Sequence, residues 1–180
     1  ISSDQCFNAS LNSITCTVPY WEAAAQATNL ILESSGAQVH STESFVIFSF
    51  ASVWSSVGPR ILSAHGGGMI NISGHAFDES SITVQEYRCV FASNTSSMEV
   101  VASVIDVKTI TCRIPAWGLH HEEAQVDFTL TADGDVVTAE PNSDATLTFS
   151  QVWTQFQPQE GPAYGQIVLI TGAGFHLKNG

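Results

Sequence analysis

The chain has 180 residues, the length of one domain or of two small ones. It carries 17 acidic residues against five lysines and arginines, a net charge of −12, and 44% of its residues are hydrophobic. Five lysines and arginines are too few to form the clusters that contacts with phosphate groups need. We therefore expect no binding to nucleic acid or to anionic membrane surfaces. The apolar fraction is sufficient for a packed core, and no apolar run is long enough to span a membrane.

The four cysteines, Cys6, Cys16, Cys89 and Cys112, fall into two pairs with similar surroundings. The second cysteine of each pair lies in the sequence Ile-Thr-Cys-x-x-Pro, and apolar residues alternate around it as in a strand with one buried face. We predict the disulfides Cys6–Cys16 and Cys89–Cys112, the latter between neighbouring strands. Four buried free thiols are the alternative. Disulfides indicate an oxidising compartment, so we expect an extracellular or cell-surface location reached through the secretory pathway.

An internal repeat is the most informative pattern in the sequence. Three stretches recur in the same order, at offsets of 96, 99 and 98 residues. They are Cys16–Trp21 with Cys112–Trp117, Val53–Trp54 with Val152–Trp153, and Gly67–Phe77 with Gly165–Phe175. The repeat predicts a window on a longer protein, in which every unit has about 98 residues.

The repeat divides the chain into three parts. Residues 1–52 are expected to be the C-terminal part of one unit, residues 53–151 a complete unit, and residues 152–180 the N-terminal part of the next. Trp54 and Trp153 stand at the borders between units. Each tryptophan could pack one unit against the next or cap the core of its own unit, and the sequence leaves both roles open.

Each unit is predicted to consist of short β-strands. Met69–Ser73 is an apolar strand closed by glycine, and Val126–Leu130 and Ala145–Phe149 alternate between apolar and polar residues. Asp133-Gly134 is a dipeptide favoured in tight hairpins. Trp21–Ala27 has helical propensity, but its counterpart precedes a strand, so we interpret it as a loop. About seven strands per unit predict an all-β fold of tandem immunoglobulin-like β-sandwiches, one complete and two partial.

The order of these motifs resembles the IPT/TIG domain. The motifs that carry the resemblance are Gly58-Pro59, Gly66–Gly68, Ile70–Phe77, Cys89–Phe91 and Ile110–Pro115. The resemblance covers residues 53–151 and both flanking fragments. It implies an immunoglobulin-like fold, usually without catalysis, of the kind found in tandem arrays of plexins, scatter-factor receptors and fibrocystin-like proteins. Rel-type transcription factors also carry such a domain, but the shortage of cations favours the extracellular branch.

No catalytic residues are predicted, because no nucleophile or phosphate-binding motif is present. The segment 120–123, His-His-Glu-Glu, is the most metal-like cluster, yet adjacent residues of an extended chain point to opposite faces. Asp133, Asp135, Glu140 and Asp144 crowd one loop, which is either a calcium site or a plain acidic turn. We expect the acidic turn, and therefore no metal, no cofactor and no enzyme activity.

Three sequons, at Asn8, Asn71 and Asn94, predict N-linked glycans. Asn94 lies in a stretch of serine and threonine that is typical of an exposed loop. Asn71 stands between Ile70 and Ile72, which are expected to point into the core, so its own side chain is expected to point outward.

The strand that closes the first unit differs from its counterpart. Residues 44–50 align with residues 143–149, where alternate residues are expected to face the core. The same alternation turns Phe45 and Ile47 outward, although both are large and apolar. Either another part of the unit covers them, or they form a lateral or inter-unit contact.

Two functions remain compatible with the sequence. The first is a structural or adhesive module of a long extracellular repeat glycoprotein, part of a surface fibre or filament, whose partners are neighbouring repeats or copies of the same protein. The alternative is a ligand-binding ectodomain segment of a cell-surface receptor. The low lysine content and abundant serine and threonine favour the structural module.

Overall fold

A computed structural model describes residues 6–18, 21–42, 46–78 and 85–176, and of Asn8 and Ala9 only the backbone. The strands are β1 Cys6–Ser10, β2 Ser13–Cys16, β3 Gln26–Asn29, β4 Glu33–Ser34, β5 Ala37–Gln38, β6 Ile47–Phe50, β7 Val53–Gly58, β8 Ile61–Ser63, β9 Met69–His75, β10 Tyr87–Ala92, β11 Ser97–Asp106, β12 Thr109–Arg113, β13 Ala124–Ala132, β14 Asp135–Val136, β15 Thr138–Ala139, β16 Thr146–Ser150, β17 Val152–Gln157 and β18 Leu169–Ala173. A 3₁₀ turn spans Trp117–Leu119. The all-β prediction is confirmed.

Strands β7 to β16 form one curled sheet that folds into two layers, called the central sandwich below. Its strand order is β15-β7-β9-β12-β11-β10-β13-β16-β8, and β14 pairs with β13. The long strand β11 joins the layers, because its first half pairs with β10 and its second half with β12. This is the predicted immunoglobulin-like sandwich, although it contains ten strands rather than the seven expected.

The core of the central sandwich comes from alternating residues of both layers. Ile70 and Ile72 on β9 are fully buried, whereas Asn71 between them is exposed, as the alternation predicted. The largest fully buried side chains are Trp117, Tyr87, Phe77, Phe91 and Phe149. Each large apolar side chain that is removed from water in this way contributes about 1.5–3 kcal/mol.

Trp54 belongs to the core of the central sandwich and is only 3% exposed. Its ring meets the ring of Phe128 edge to face, with centroids 5.5 Å apart. Of the two roles that the sequence left open for Trp54, the structure supports packing in the core of the central sandwich.

The four cysteines are paired as the sequence predicted, Cys6 with Cys16 and Cys89 with Cys112. Cys6 and Cys16 lie opposite each other in the β1–β2 hairpin. The expectation that the second disulfide joins neighbouring strands was wrong. Cys89 lies on β10 and Cys112 lies on β12, the two strands on either side of β11. Because both cysteines are buried, their bond links the two layers through the core.

The predicted turns are present. Asp133 and Gly134 both have positive φ, 53° and 92°, and close the β13–β14 hairpin. The segment that begins at Trp21 is a loop that leads into β3, and no helix forms there. A Cβ built on Gly66 would lie 2.7 Å from the carbonyl of Pro115, so only glycine fits this turn.

Backbone pairing recurs at the same spacing as the sequence repeat. The hairpin β17–β18 has the register of β7 and β9, with a bulge at the same place. Strands β3 and β6 pair in the register of β13 and β16. The parts before and after the central sandwich are called the N-terminal segment (6–51) and the C-terminal segment (152–176).

Candidate functional site

The flanking segments contact the central sandwich through the same backbone hydrogen bond at both ends. The amide of Ala25 donates to the carbonyl of Ala76 at 3.0 Å, and the amide of Glu123 donates to the carbonyl of Gly174 at 2.8 Å. The two donor residues are 98 residues apart in the sequence, and so are the two acceptor residues. We call these contacts the first joint and the second joint.

A tryptophan anchors the loop that carries each donor. The indole N–H of Trp21 donates to the carbonyl of Ala24 at 2.7 Å, and that of Trp117 donates to the carbonyl of Glu122 at 2.9 Å. The carbonyl that accepts the indole N–H thus belongs to the residue just before the donor. Each indole therefore fixes the loop so that the following amide points at its acceptor across the joint.

Both tryptophans are held in turn by a stacked phenylalanine, which lies on β6 in the first joint and on β16 in the second. Trp21 lies 4.2 Å from Phe50 at an interplanar angle of 15°, and Trp117 lies 5.0 Å from Phe149 at 9°. Stacked aromatic pairs contribute about 0.5–1.5 kcal/mol beyond their buried area. In each joint, an aromatic pair on the N-terminal side thus holds the loop that carries the donor.

The acceptor residue has the same unusual backbone conformation in both joints. Ala76 has φ of 59° and Gly174 has φ of 77°, and both are buried. Alanine seldom adopts this left-handed conformation, which costs about 1–2 kcal/mol for a residue with a Cβ. The first joint therefore keeps the left-handed backbone conformation at Ala76, although this conformation is unfavourable for alanine.

A glycine two residues before each acceptor lets the strands approach closely. A Cβ built on Gly74 would lie 2.2 Å from the carbonyl oxygen of Val53, and one built on Gly172 would lie 2.1 Å from that of Val152. No side chain is tolerated at such distances. These two glycines let the end of β9 approach β7 and the end of β18 approach β17, next to the acceptor carbonyls of the two joints.

The second joint has a longer loop than the first. The repeat offset rises from 96 at its tryptophan to 98 at its donor, and the two extra residues lie around the 3₁₀ turn. Within that turn Gly118 donates to Ala64 at 2.8 Å and accepts from Gly174 at 3.1 Å. A Cβ on Gly118 would lie 2.2 Å from the nitrogen of Gly174, so this contact requires glycine.

A contact between two side chains also crosses the second joint. Nδ1 of His176 in the C-terminal segment contacts Oε2 of Glu122 in the anchored loop. At the first joint, Nε2 of His75 lies 3.5 Å from Oε1 of Glu140, and both side chains border the contact with the N-terminal segment. Each joint thus has a contact between a histidine and a glutamate at its surface, in addition to the stacked aromatic pair that holds its loop.

The other residues predicted to make contacts are in different settings. Ile47 on β6 is 63% exposed, as the alternation predicted, whereas Phe45 lies outside the described residues. Trp153 is 62% exposed and meets Phe156 edge to face. Trp153 occupies the position that Trp54 holds in the central sandwich.

The sequons lie at accessible places where their side chains are described. Asn71 is exposed on the outer face of β9, and Asn94 is exposed in the turn between β10 and β11. Asn8 lies on β1, but its side chain is outside the described residues. Asn71 and Asn94 therefore have room for a glycan.

The acidic loop does not converge on a common point. Its carboxylates have separate partners: Asp133 accepts from the amide of Glu86, Glu140 pairs with His75, and Asp144 accepts from the amide of Thr146. In the described part of the chain, no three His, Cys, Asp or Glu side chains could jointly hold a metal ion. The carboxylates therefore act as caps and ion pairs of the loop.

One of these carboxylates has a perturbed pKa. The backbone amide of Thr146, and next its side chain, hold the pKa of the Asp144 carboxyl below its usual value, with a smaller contribution from Arg60. Nη1 of Arg60 lies 3.7 Å from the carboxylate and also donates to the carbonyl of Asp144 at 2.6 Å. The lowered pKa thus reflects local capping of the start of β16.

Sequence reasoning missed the residues that build the joints. Ala25, Ala76 and Gly118 carry no functional motif, and their role depends on backbone position rather than on side-chain chemistry. The available signal was the change of the repeat offset from 96 to 98 just after the tryptophan.

Comparison with known proteins settles the family. The model of the IPT/TIG domain matches residues 52–149, more than half of the chain. The chain belongs to the IPT/TIG domain family. The matched IPT/TIG region coincides with the central sandwich, and the resemblance inferred from the motifs is confirmed. No curated protein sequence matches the chain significantly.

Solved structures similar to this IPT/TIG chain include two of the plexin A4 extracellular region, one with domains 1 to 8 and one with domains 1 to 10. Each is 12% identical, with a TM-score of 0.44 over 55% of this chain. The match spans only 11% and 9% of those chains. No helix in the described ranges is long and apolar enough to cross a membrane.

Proposed function

We propose that the chain is a non-catalytic structural segment of an extracellular glycoprotein built from tandem IPT/TIG units. In this proposal residues 1–52 and 152–180 are parts of the units on either side of the central one. The array belongs to a surface fibre or filament, and its partners are neighbouring units or copies of the same protein. N-linked glycans on Asn71 and Asn94 cover part of the surface.

The repeated joint is the observation that carries this proposal. A fibre needs a repeated relation between neighbouring units, and two similar joints are what such an array requires. Both joints use the same amide-to-carbonyl bond, the same indole anchor and the same left-handed acceptor. Repetition of one joint along a chain produces a regular arrangement of units.

The extracellular location is supported by the two disulfides and by the composition. Disulfides persist in oxidising compartments, and the described residues contain no free cysteine. With five lysines and arginines in 180 residues, the protein also has few side chains that could contact the phosphates of a nucleic acid.

Electron microscopy of the native full-length protein tests the proposal. A structural array predicts elongated particles in which globular units of similar size follow each other at a constant spacing and bend. Particles whose units vary freely in bend, together with saturable binding of a separate ligand by this segment, would instead identify the ectodomain of a receptor.

A further inference from the structure

A polar groove lies beside the turn between β10 and β11, within the central sandwich. It has a volume of about 510 Å³, and its lining includes Asn94, Thr95, Gln125, Asp127 and Thr146. Binding sites for small molecules have volumes of about 300–1,000 Å³, so the groove is large enough for a small polar ligand. We call it the polar groove.

The floor of the polar groove is a row of residues on the outer face of three paired strands. Ala92 on β10 lies opposite Asp127 on β13, and Asp127 lies opposite Thr146 on β16. Gln125 shares this face with Asp127, because alternate residues of a strand point to the same side. Since Ala92 carries only a methyl group, it leaves the space between Asp127 and the turn open.

Two polar side chains of this floor have no partner in the described part of the chain. The Asp127 carboxylate and the Gln125 amide are exposed, and neither makes a hydrogen bond or an ion pair there. A carboxylate accepts hydrogen bonds, and an amide side chain both donates and accepts them. Together they complement the hydroxyl and acetamido groups of a sugar.

The polar floor is not a requirement of the strand pairing. In the N-terminal segment, β3 and β6 pair in the register of β13 and β16, but the residues that correspond to Gln125 and Thr146 are Ala27 and Ile47. Apolar residues at these positions are therefore compatible with the fold. The polar pair is a particular feature of the face beside Asn94.

The turn between β10 and β11 holds Asn94 at the mouth of the polar groove. The amide of Ser93 donates to the carbonyl of Ser96 at 2.7 Å, and the amide of Ser96 donates to the hydroxyl of Ser93 at 3.2 Å. These bonds close the turn and leave Asn94 and Thr95 exposed at its tip. Asn94 is thus both the acceptor residue of a sequon and part of the groove lining.

We propose that the polar groove holds the first N-acetylglucosamine of an N-linked glycan on Asn94. This inference rests on the glycan that the proposed function places there. The sugar lies over Ala92, its hydroxyl groups donate to the carboxylate of Asp127, and its acetamido group bonds to the amide of Gln125. Covalent attachment gives the sugar a millimolar effective concentration at the groove, so weak hydrogen bonds suffice to hold it. The held glycan covers the outer face of β16 and excludes lateral contacts there.

NMR of the glycosylated 180-residue chain tests this site. The chain is secreted from eukaryotic cells as the variant Asn8→Gln/Asn71→Gln, so that Asn94 is the only sequon left. The glycan is then trimmed enzymatically to one N-acetylglucosamine. We expect nuclear Overhauser contacts between the sugar protons and the side chains of Gln125 and Thr146.

The matched control is the variant Asn8→Gln/Asn94→Gln, in which only Asn71 carries the sugar. Asn71 is exposed on the outer face of β9 and does not line the polar groove. Its sugar should contact only the side chains next to the attachment site, and its acetyl signal should be narrower, as expected of a freely moving group.

Substitutions on β13 distinguish a held sugar from one that is only nearby. Asp127→Ala should at least halve the intensity of the Overhauser contacts with Thr146. Thr131→Ala should leave these contacts unchanged, because Thr131 lies on the same face of the strand but about 13 Å from Asp127. An unchanged amide signal of the buried Val126 shows that both variants keep the fold.

Three results would overturn the site. A sugar on Asn94 that makes no contact with Gln125 or Thr146 would overturn this inference alone and leave the proposed glycan in place. A mass that shows Asn94 unmodified would overturn both. Micromolar binding of free chitobiose by the chain without glycans would assign the groove to a separate carbohydrate ligand. None of these results bears on the array, which electron microscopy tests separately.

Discussion

Gly118 and Gly174 lie so close together that no side chain fits between them. The amide of Gly174 donates to the carbonyl of Gly118 at 3.1 Å, and a Cβ on Gly118 would lie 2.2 Å from the nitrogen of Gly174. Together with the bond from Glu123, two backbone hydrogen bonds between described residues cross the second joint, whereas one between described residues crosses the first. Each contributes about 0.5–1.5 kcal/mol net, so the second joint should be the stiffer of the two.

Replacement of Gly118 by alanine should loosen the second joint without unfolding the central sandwich. The added Cβ forces the two backbones apart and breaks the bonds across the joint. Residual dipolar couplings measure this effect, because a rigid joint gives the central sandwich and the β17–β18 hairpin one common alignment tensor. Gly118→Ala should require two tensors.

The matched control for this variant is Gly58→Ala, because a Cβ built on Gly58 meets no atom within 4 Å. It should retain one tensor. A single shared tensor in Gly118→Ala as well would mean that the close approach of the glycines does not hold the segments together.

Removal of the disulfide between the layers should lower stability more than removal of the hairpin disulfide. The Cys89–Cys112 bond closes a loop with a separation of 23 residues, and the Cys6–Cys16 bond one of 10. In the chain-entropy model these loops correspond to about 3.4 and about 2.7 kcal/mol. Double replacement by alanine, followed by denaturant unfolding of the central sandwich, should show the loss for Cys89/Cys112 and little change for Cys6/Cys16.

Peptide mapping under non-reducing conditions checks the pairing itself. The expected fragments contain Cys6 with Cys16 and Cys89 with Cys112. A fragment that links Cys16 to Cys89, or free thiols in fresh protein, would contradict the pairing.

Asn94 should carry a glycan when the protein passes through a eukaryotic secretory pathway. It is exposed in a turn where Ser93 and Ser96 bond to each other rather than to the asparagine side chain. Enzymatic deglycosylation should reduce the mass of the protein, and Asn94→Gln should remove one glycan from the total. An identical mass before and after deglycosylation would refute modification at all three sequons.

The outward face of β6 should take part in assembly. Ile47 is exposed there, whereas its counterpart in the central sandwich is Thr146. The double variant Phe45→Asp/Ile47→Thr introduces the residues found at the aligned positions 144 and 146. It should weaken self-association of the native full-length protein, measured by analytical ultracentrifugation, while the fold is kept. Unchanged association would exclude a lateral contact, and loss of folding would show that both residues are covered within their own unit.

Much of the fold could be predicted because the same motifs occur twice in the sequence, at offsets of 96 to 99 residues. Alternation at Ile70 and Ile72 placed a strand correctly, and the shared Ile-Thr-Cys-x-x-Pro context paired the cysteines. That Cys89 and Cys112 belong to different layers could not be read from alternation, because it depends on β11 passing from one layer to the other. Such a crossing is set by the whole sheet rather than by any local pattern.

The joints were harder to predict for a different physical reason. Ala76 acts through its backbone carbonyl and its left-handed φ, neither of which leaves a residue-type signature at an alanine. Gly118 acts through the absence of a Cβ, and most glycines in a sequence have no such role. The role of Trp54 could not be predicted, because a tryptophan at the border between two repeats can be buried in either of them. Its packing against Phe128 decides between the two.

Hydrogen exchange at the amides of Ala25 and Glu123 is the most direct test of a common joint. Both amides lie in loops, where exchange is normally fast, but each donates to a buried carbonyl across its joint. If both joints are closed, the two amides should exchange at least a hundredfold more slowly than the exposed loop amide of Thr95, and Gly118→Ala should accelerate exchange at Glu123 while Ala25 stays protected. Exchange at both positions as fast as at Thr95 in the unmodified protein would contradict a repeated, hydrogen-bonded joint.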